Sequence, residues 1–264
     1  MANIRLAAID MDGTALRGDR SLHPENIAAI HRATERGIQV ALASGRMFLS
    51  LRRFADDIGL EMPIVSSNGA YVVDDSAQIV LNATVSDSIA LAILDYCESH
   101  QLHVNLYTGS GIACVRETSW LVTYAERVQN FSPEPLGLDA CREISPNKML
   151  IFAEPEDLDT HGRTLRDMVP PGLGTWVRSE PDFLELLPPD VTKGYGLSRL
   201  AAHMDVPPVE VAAIGDYLND LEMLEWAGTA AAVANAHPKI LETAGVVYPS
   251  NEEAGVAAFL DALG

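Results

Sequence analysis

Short apolar runs alternate with amphipathic segments along the first third of the chain. The apolar runs predict buried strands, and the amphipathic segments predict helices. The predicted elements are strands at residues 4–9, 38–43 and 63–66 and helices at about 24–36 and 46–58. Pro24 begins the first helix and Gly37 follows its end, which is the usual placement of both residue types. This alternation indicates a parallel sheet with helices on its faces.

The pattern changes after about residue 83, where pairs of short strands are separated by helices. The predicted elements of this stretch are helices at about 86–100, 119–128 and 157–168 and strands at 103–107, 112–116, 148–153, 175–178 and 183–187. Strand pairs between helices are typical of an α+β domain with an antiparallel sheet. Pro188 and Pro189 mark the end of this domain.

The first pattern then returns, so the core is split by an insertion. Helices are predicted at about 194–204, 219–227 and 252–263, strands at 209–214 and 230–233, and a hairpin before the insertion at 71–73 and 78–81. We therefore predict an α/β fold with a Rossmann-like, doubly wound parallel sheet. Its core is residues 1–83 and 189–264, and the inserted α+β domain is residues 84–188.

Composition excludes some classes of partner. The chain has 264 residues, and 37 acidic against 18 basic side chains give a formal net charge of −19. The basic residues are scattered singly, which disfavours nucleic acid as a partner, because its phosphates are bound by clustered Lys and Arg. No apolar run suits a membrane span or a signal sequence, so we expect a cytoplasmic protein without a membrane partner. Cys97, Cys114 and Cys141 form no metal-binding pair and are expected to be reduced and mostly buried.

Acidic residues follow two of the predicted core strands, at the edge where parallel sheets bind ligands. Asp10 and Asp12 end the first strand, and Asp216 and Asp220 follow the strand that re-forms the core after the insertion. We expect these four carboxylates to converge on one metal ion, because without a cation they would repel one another.

Four short motifs occur in the order and at the spacing of one enzyme superfamily. They are Asp10-Met11-Asp12-Gly13-Thr14, Ser44-Gly45-Arg46, Lys193-Gly194 and Gly215-Asp216 with Asn219-Asp220. In these motifs, and in the insertion between the second and the third, the chain resembles the haloacid dehalogenase superfamily. The segments at 66–70 and 233–238 resemble those of its Cof-type phosphatases, which form subclass IIB. The likeness extends over nearly the whole chain.

The resemblance implies a cap domain in the insertion and a phosphoryl-transfer site in the core. It implies that Asp10 is the nucleophile, which forms an aspartyl-phosphate, and that Asp12 is the general acid and base. It also implies a Mg²⁺ ion held by Asp10, the backbone carbonyl of Asp12 and Asp216, with Asp220 supporting that shell. Such a site suits a phosphate monoester, because positive charge must offset the repulsion between an anionic nucleophile and an anionic phosphoryl group.

Five further residues are predicted to bind phosphate or substrate, namely Ser44, Gly45, Arg46, Lys193 and Asn219. Ser44 precedes a helix, where it can cradle phosphate oxygens, cap the helix, or do both. Lys193 opens a helix, where a cation is unfavourable, so a phosphate-neutralising role is favoured over a structural one. Arg46 is either a substrate contact or a solvated residue at a helix start. Asn219 matches a substrate-contacting asparagine of the family.

Three other positions leave alternatives open. Tyr217 departs from the family pattern, which often has Asn there, and this affects only the local hydrogen bonding beside the metal site. Asn68 either reaches the site or forms a tight Asn-Gly turn. Lys148, on a predicted strand of the insertion, is a candidate substrate contact.

The leading hypothesis is a Mg²⁺-dependent phosphatase of small phosphorylated metabolites of the sugar phosphate type, with a small phosphate monoester as its partner. A phosphosugar mutase similar to the phosphomannomutases would share the nucleophile, and a catalytically silent ligand-binding module is the alternative outside enzymes. A P-loop nucleotidase is disfavoured, because no Gly-x-x-x-x-Gly-Lys-Ser/Thr run occurs. Substrate selection is expected in the insertion, and the sequence does not indicate an oligomeric state.

Overall fold

The computed structural model describes residues 3–124 and 131–263. The last residues of the helix predicted at 119–128 therefore lie outside the described residues. The chain divides into two compact units. The first unit is Met1–Arg46, Leu51–Leu81 and Thr192–Gly264, and the second unit is Met47–Ser50 and Asn82–Val191.

Strands and helices alternate along most of the described chain. The strands are β1 (Leu6–Asp10), β2 (Gln39–Ala43), β3 (Ile64–Ser66), β4 (Tyr71–Val73), β5 (Ile79–Asn82), β6 (His103–Thr108), β7 (Gly111–Cys114), β8 (Glu134–Pro135), β9 (Lys148–Phe152), β10 (Thr175–Glu180), β11 (Phe183–Leu187), β12 (Val211–Gly215), β13 (Thr229–Val233) and β14 (Val246–Tyr248). The α-helices are α1 (Pro24–Glu35), α2 (Phe48–Ile58), α3 (Asp87–Ser99), α4 (Ser119–Tyr124), α5 (Leu138–Arg142), α6 (Pro155–Asp167), α7 (Lys193–His203), α8 (Leu221–Trp226), α9 (Pro238–Thr243) and α10 (Gly255–Ala262).

The sheet of the first unit has eight strands in the order β14-β13-β12-β1-β2-β3-β4-β5. β1 pairs in parallel with β12 on one side and with β2 on the other. Every residue of β1 and of β12 is buried, as expected for strands covered on both faces. The parallel-sheet α/β core that the sequence predicts is therefore confirmed.

Helix α2 begins at Phe48, two residues later than predicted. The carbonyl of Arg46 accepts a hydrogen bond from the Ser67 N–H at 2.8 Å, and the Arg46 N–H donates to the Ser44 side chain at 3.2 Å. A neighbouring loop therefore binds this stretch of backbone and delays the start of the helix.

The sheet of the second unit has six strands in the order β10-β11-β9-β6-β7-β8. β6, β7, β9, β10 and β11 pair antiparallel, and only β8 joins in parallel, to β7. The antiparallel sheet that the sequence predicts for the insertion is therefore present.

Two apolar clusters pack in the second unit. The larger one includes Ile93, Leu106 and Leu165. The smaller one, called here the aromatic cluster, consists of the buried residues Met47, Tyr107, Ile112, Leu150, Phe152 and Phe183. All three cysteines of the chain are free and buried, as the sequence predicts. None of the helices described above has the length and apolar character needed to cross a membrane.

Candidate active site

The carboxyl ends of β1 and β12 bring three carboxylates together. The two strands pair in parallel, with Ile9 opposite Ile214, so Asp10 at the end of β1 and Asp216 just after β12 both lie at the same edge of the sheet. One carboxylate oxygen from each of Asp10, Asp216 and Asp220 lies within 4.8 Å of the other two. In the described part of the chain, this is the one group of three or more metal-ligating side chains so close together.

Lys193 lies within this acidic cluster. It is the first residue of α7, and its Nζ donates to Asp10 Oδ1 and to Asp220 Oδ1, each at 2.6 Å. Burial favours the neutral amine, but the charges of the two carboxylates outweigh it and raise the pKa of Lys193. The side chain is 1% exposed, so a permanent cation is buried against the two carboxylates.

Burial and mutual repulsion raise the pKa values of two of the carboxylates. Burial, with the charge of Asp220, raises the pKa of Asp10 well above its usual range, although Lys193 opposes the shift. The same two causes raise the pKa of Asp216, whose Oδ1 accepts a hydrogen bond from the Thr14 hydroxyl at 2.9 Å. An acidic group with raised pKa values is one that a bound cation would stabilise in its charged form.

The unsatisfied atoms of the cluster fit a divalent cation. Asp10 Oδ2 is buried and has no hydrogen-bond partner among the described residues. Asp220 is fully engaged, because its Oδ1 binds Lys193 and its Oδ2 accepts from the Asp216 and Tyr217 N–H groups at 3.0 and 3.1 Å. Asp10 and Asp216 are therefore the residues whose oxygens suit Mg²⁺, while Asp220 fixes Lys193 and the backbone of Asp216.

The expectation that four carboxylates converge is wrong for Asp12. β1 ends at Asp10, so the alternation that would have aligned the two side chains stops there. The Asp12 side chain is 53% exposed and binds Arg46, whose Nε and Nη2 donate to its two oxygens at 2.7 and 2.5 Å. The Asp12 carboxylate thus lies outside the group formed by Asp10, Asp216 and Asp220.

Gly13 is required where the chain turns after Asp12. Its φ is +80°, and a Cβ at this position would overlap the carboxylate of Asp216. The side chain of Asn235 donates to the Gly13 carbonyl at 2.8 Å. Sequence reasoning missed this role of Asn235, although the residue lies in a segment that resembles Cof-type phosphatases.

The loop after β2 carries three of the five residues predicted to bind phosphate or substrate, namely Ser44, Gly45 and Arg46. Ser44 is buried, and its Oγ accepts from the Arg46 N–H at 3.2 Å. Because α2 begins only at Phe48, this bond stabilises a turn of the loop and does not cap the helix. Arg46 is buried and paired, so it is not a solvated residue at a helix start. A Cβ on Gly45 would lie 3.0 Å from Asn68 Oδ1, so this loop and Asn68 approach closely.

The remaining candidates lie in three places. Asn219 donates from Nδ2 to Asn68 Oδ1 at 3.3 Å, so Asn68 contacts a candidate site residue. Asn68 also has a left-handed backbone, with φ of 54°, as expected for a tight Asn-Gly turn. Both interpretations of Asn68 therefore hold. Tyr217 is exposed and packs edge to face on His237, with ring centroids 5.7 Å apart. Lys148 lies in the second unit, 3.2 Å from Glu185 Oε2, where its ammonium covers the ring of Tyr107.

Comparison with known proteins gives one consistent family. Residues 7–260 match the family model described as haloacid dehalogenase-like hydrolase. The HMP-PP phosphatase of Cronobacter sakazakii is 30% identical over 240 residues, which cover 90% of this chain and 86% of that protein. The pyridoxal phosphate phosphatase YbhA of Escherichia coli is 27% identical and covers 97% of both chains. A crystal structure from Thermotoga maritima superposes with a TM-score of 0.92 at 26% identity, covering 99% of this chain and 98% of that one.

Proposed function

The chain belongs to the haloacid dehalogenase-like hydrolase family, and on that premise we propose that it is a Mg²⁺-dependent phosphatase of small phosphate monoesters. The proposal is carried by one observation. Asp10 ends a buried strand with one oxygen bound to Lys193 and the other, Oδ2, without a hydrogen-bond partner among the described residues. A buried carboxylate that a lysine holds in one orientation, beside a site that suits a cation, is suited to attack phosphorus.

The residues of the cluster divide the work of phosphoryl transfer. Bound at Asp10 and Asp216, Mg²⁺ would supply positive charge that offsets repulsion between the carboxylate and the phosphoryl group. Lys193 holds Asp10 in one orientation and adds a second positive charge beside it. Attack by Asp10 on phosphorus forms an aspartyl-phosphate and breaks the bond between phosphorus and the leaving oxygen.

Asp12 is the candidate general acid and base in this proposal. In the first step the protonated Asp12 gives its proton to the leaving oxygen and becomes a carboxylate. In the second step this carboxylate takes a proton from the water that attacks phosphorus, the bond between phosphorus and the Asp10 oxygen breaks, and inorganic phosphate is released. The half-exposed side chain of Asp12 leaves its carboxyl accessible to a leaving group. Ser44 and Asn219 are the candidate phosphate and substrate contacts, since both lie on loops that meet near Asn68.

The substrate is proposed as a small phosphorylated metabolite, with sugar phosphates as the first class to test. Similar proteins bear the names HMP-PP phosphatase and pyridoxal phosphate phosphatase, so HMP-PP and pyridoxal phosphate belong in the same panel. Selection among these substrates is proposed to depend on the second unit, because the motifs that carry the chemistry lie in the first.

The test is release of inorganic phosphate from a panel of phosphate monoesters, with and without Mg²⁺ and with a chelator. We expect hydrolysis of several panel members and of 4-nitrophenyl phosphate, and loss of activity with the chelator. Transfer of the phosphoryl group to a second hydroxyl of the same sugar, without release, would instead indicate the mutase. No turnover of any substrate, together with binding of a phosphorylated ligand, would indicate the ligand-binding module.

A further inference from the structure

Arg46 fixes the Asp12 carboxylate through two parallel hydrogen bonds. Nε donates to Oδ2 at 2.7 Å and Nη2 donates to Oδ1 at 2.5 Å. The guanidinium carbon also lies 5.6 Å from the centre of the Phe54 ring, which supports its plane. The Arg46 side chain is 9% exposed and the Asp12 side chain 53% exposed. The buried member of the pair therefore determines where the exposed one stays.

The backbone of Arg46 is also held in place. Its N–H donates to Ser44 Oγ at 3.2 Å, and its carbonyl accepts from the Ser67 N–H at 2.8 Å. Both partners belong to the loops that follow β2 and β3. The position of the guanidinium is thus set by the backbone at the carboxyl edge of the first unit's sheet.

The residue after Arg46 belongs to the second unit. Met47 is 1% exposed and packs in the aromatic cluster, and the segment Met47–Ser50 groups with the second unit. One peptide bond therefore joins the residue that holds Asp12 to a residue buried in the core of the second unit. Truncating a buried methionine to alanine leaves a cavity in the core, so Met47 anchors this segment in the second unit.

We propose that Arg46 is a positioning residue for Asp12 and that the Met47 anchor makes this positioning depend on the second unit. The inference rests on the proposed function, because it concerns the orientation of Asp12 toward a leaving oxygen. Proton transfer needs a heavy-atom distance near 3 Å, and a misplacement of about 1 Å can cost about 100-fold in rate. Loosening Met47 should therefore slow the reactions that depend most on Asp12.

The test uses two substrates of similar shape that differ in their need for an acid. Phenyl phosphate has a basic leaving group that needs a proton, whereas 4-nitrophenyl phosphate needs little help. Single-turnover phosphorylation is measured with both, and the quantity compared is the ratio of the two rates. We expect Met47→Ala and Arg46→Lys each to lower the phenyl phosphate rate at least tenfold more than the 4-nitrophenyl phosphate rate, since Lys cannot form the two parallel hydrogen bonds.

Two variants separate positioning from a general loss of stability. Met47→Leu conserves volume and should restore the wild-type ratio. Met149→Ala removes a fully buried methionine from the larger cluster of the same unit and should lower stability without changing the ratio. If Met47→Ala does not fold, Leu49→Ala perturbs the aromatic cluster more mildly and should shift the ratio in the same direction.

An unchanged ratio in folded Met47→Ala and Arg46→Lys, with wild-type hydrolysis intact, would overturn this inference and leave the proposed function standing. An equal change of the ratio in Met149→Ala would also overturn it, because any loosening of the second unit would then suffice. Wild-type protein that hydrolyses neither ester would overturn the proposed function itself, and this inference with it.

Discussion

Replacing Lys193 with Met removes the cation that pairs two buried carboxylates. Its Nζ lies 2.6 Å from both Asp10 and Asp220, which are themselves almost fully buried. Removing one partner of a buried ion pair typically costs about 3–5 kcal/mol, because the remaining charge is left unpaired. At ~2.1 cal/mol/K of unfolding entropy per residue, a chain of this length loses about 5–9 °C in melting temperature for that cost.

The loss of stability caused by Lys193→Met should depend on pH in a defined direction. Burial and Asp220 already raise the pKa of Asp10, and Lys193 opposes the shift, so its loss raises that pKa further. A carboxyl with a folded-state pKa above its unfolded-state pKa loses stability as the pH rises from the lower value toward the higher one. The stability deficit of Lys193→Met relative to wild type should therefore be small near pH 4 and should grow as the pH rises.

The assay is thermal unfolding followed by circular dichroism, with a chelator present so that no bound metal compensates for the lost charge. Lys239→Met is the matched control, because Lys239 is exposed and its replacement should change stability by less than about 0.5 kcal/mol. A melting temperature of Lys193→Met within about 1 °C of wild type at pH 8 would refute the electrostatic reasoning. Two buried carboxylates that lose their cation should lower the free energy of unfolding by more than such a shift indicates.

Three further predictions concern the first unit. Gly13→Ala should lower kcat at least tenfold, because the new Cβ would overlap the Asp216 carboxylate. The control is Gly59→Ala, which has a similar φ but open space around it and should keep the wild-type kcat. Equal kcat values in the two variants would contradict this prediction. Mg²⁺ at 100 times its Kd should stabilise the protein by about 2.7 kcal/mol in thermal unfolding, and a shift that persists in Asp216→Ala would place the ion elsewhere. Asp12→Asn should slow single-turnover phosphorylation by phenyl phosphate more than by 4-nitrophenyl phosphate, and equal losses would count against a general acid at this position.

The sequence predicts the acidic edge of the core because a buried strand can be recognised from a short run of apolar residues. The apolar runs before Asp10 and Asp216 are long enough to mark two buried strands, and parallel pairing then brings their ends together. Lys193 was predictable as a functional residue from its unfavourable place at a helix start. The short elements α9 and β14 were not predicted, because β14 is a three-residue strand with two exposed valines and carries little periodic signal.

Pairing between distant side chains could not be predicted from the sequence. Asp12 and Arg46 lie 34 residues apart, and the ion pair depends on where β1 stops and on which way the next loop turns. The alternation rule therefore placed Asp12 beside Asp10, although the strand had already ended. The sequence also could not show that Met47–Ser50 belongs to the second unit. Its pattern places Met47 in the first turn of the helix that became α2.

The most direct test of the central claim is to look for a phosphoryl group on Asp10 during turnover. Wild-type protein is mixed with an excess of 4-nitrophenyl phosphate and Mg²⁺, quenched in acid within the first turnover, digested and mapped by mass spectrometry. The account predicts a peptide containing Asp10 that carries one phosphoryl group, and no such peptide from Asp10→Asn, which should also lose several orders of magnitude in activity. Wild-type turnover with no phosphorylated Asp10 peptide, or Asp10→Asn with wild-type activity, would contradict the account.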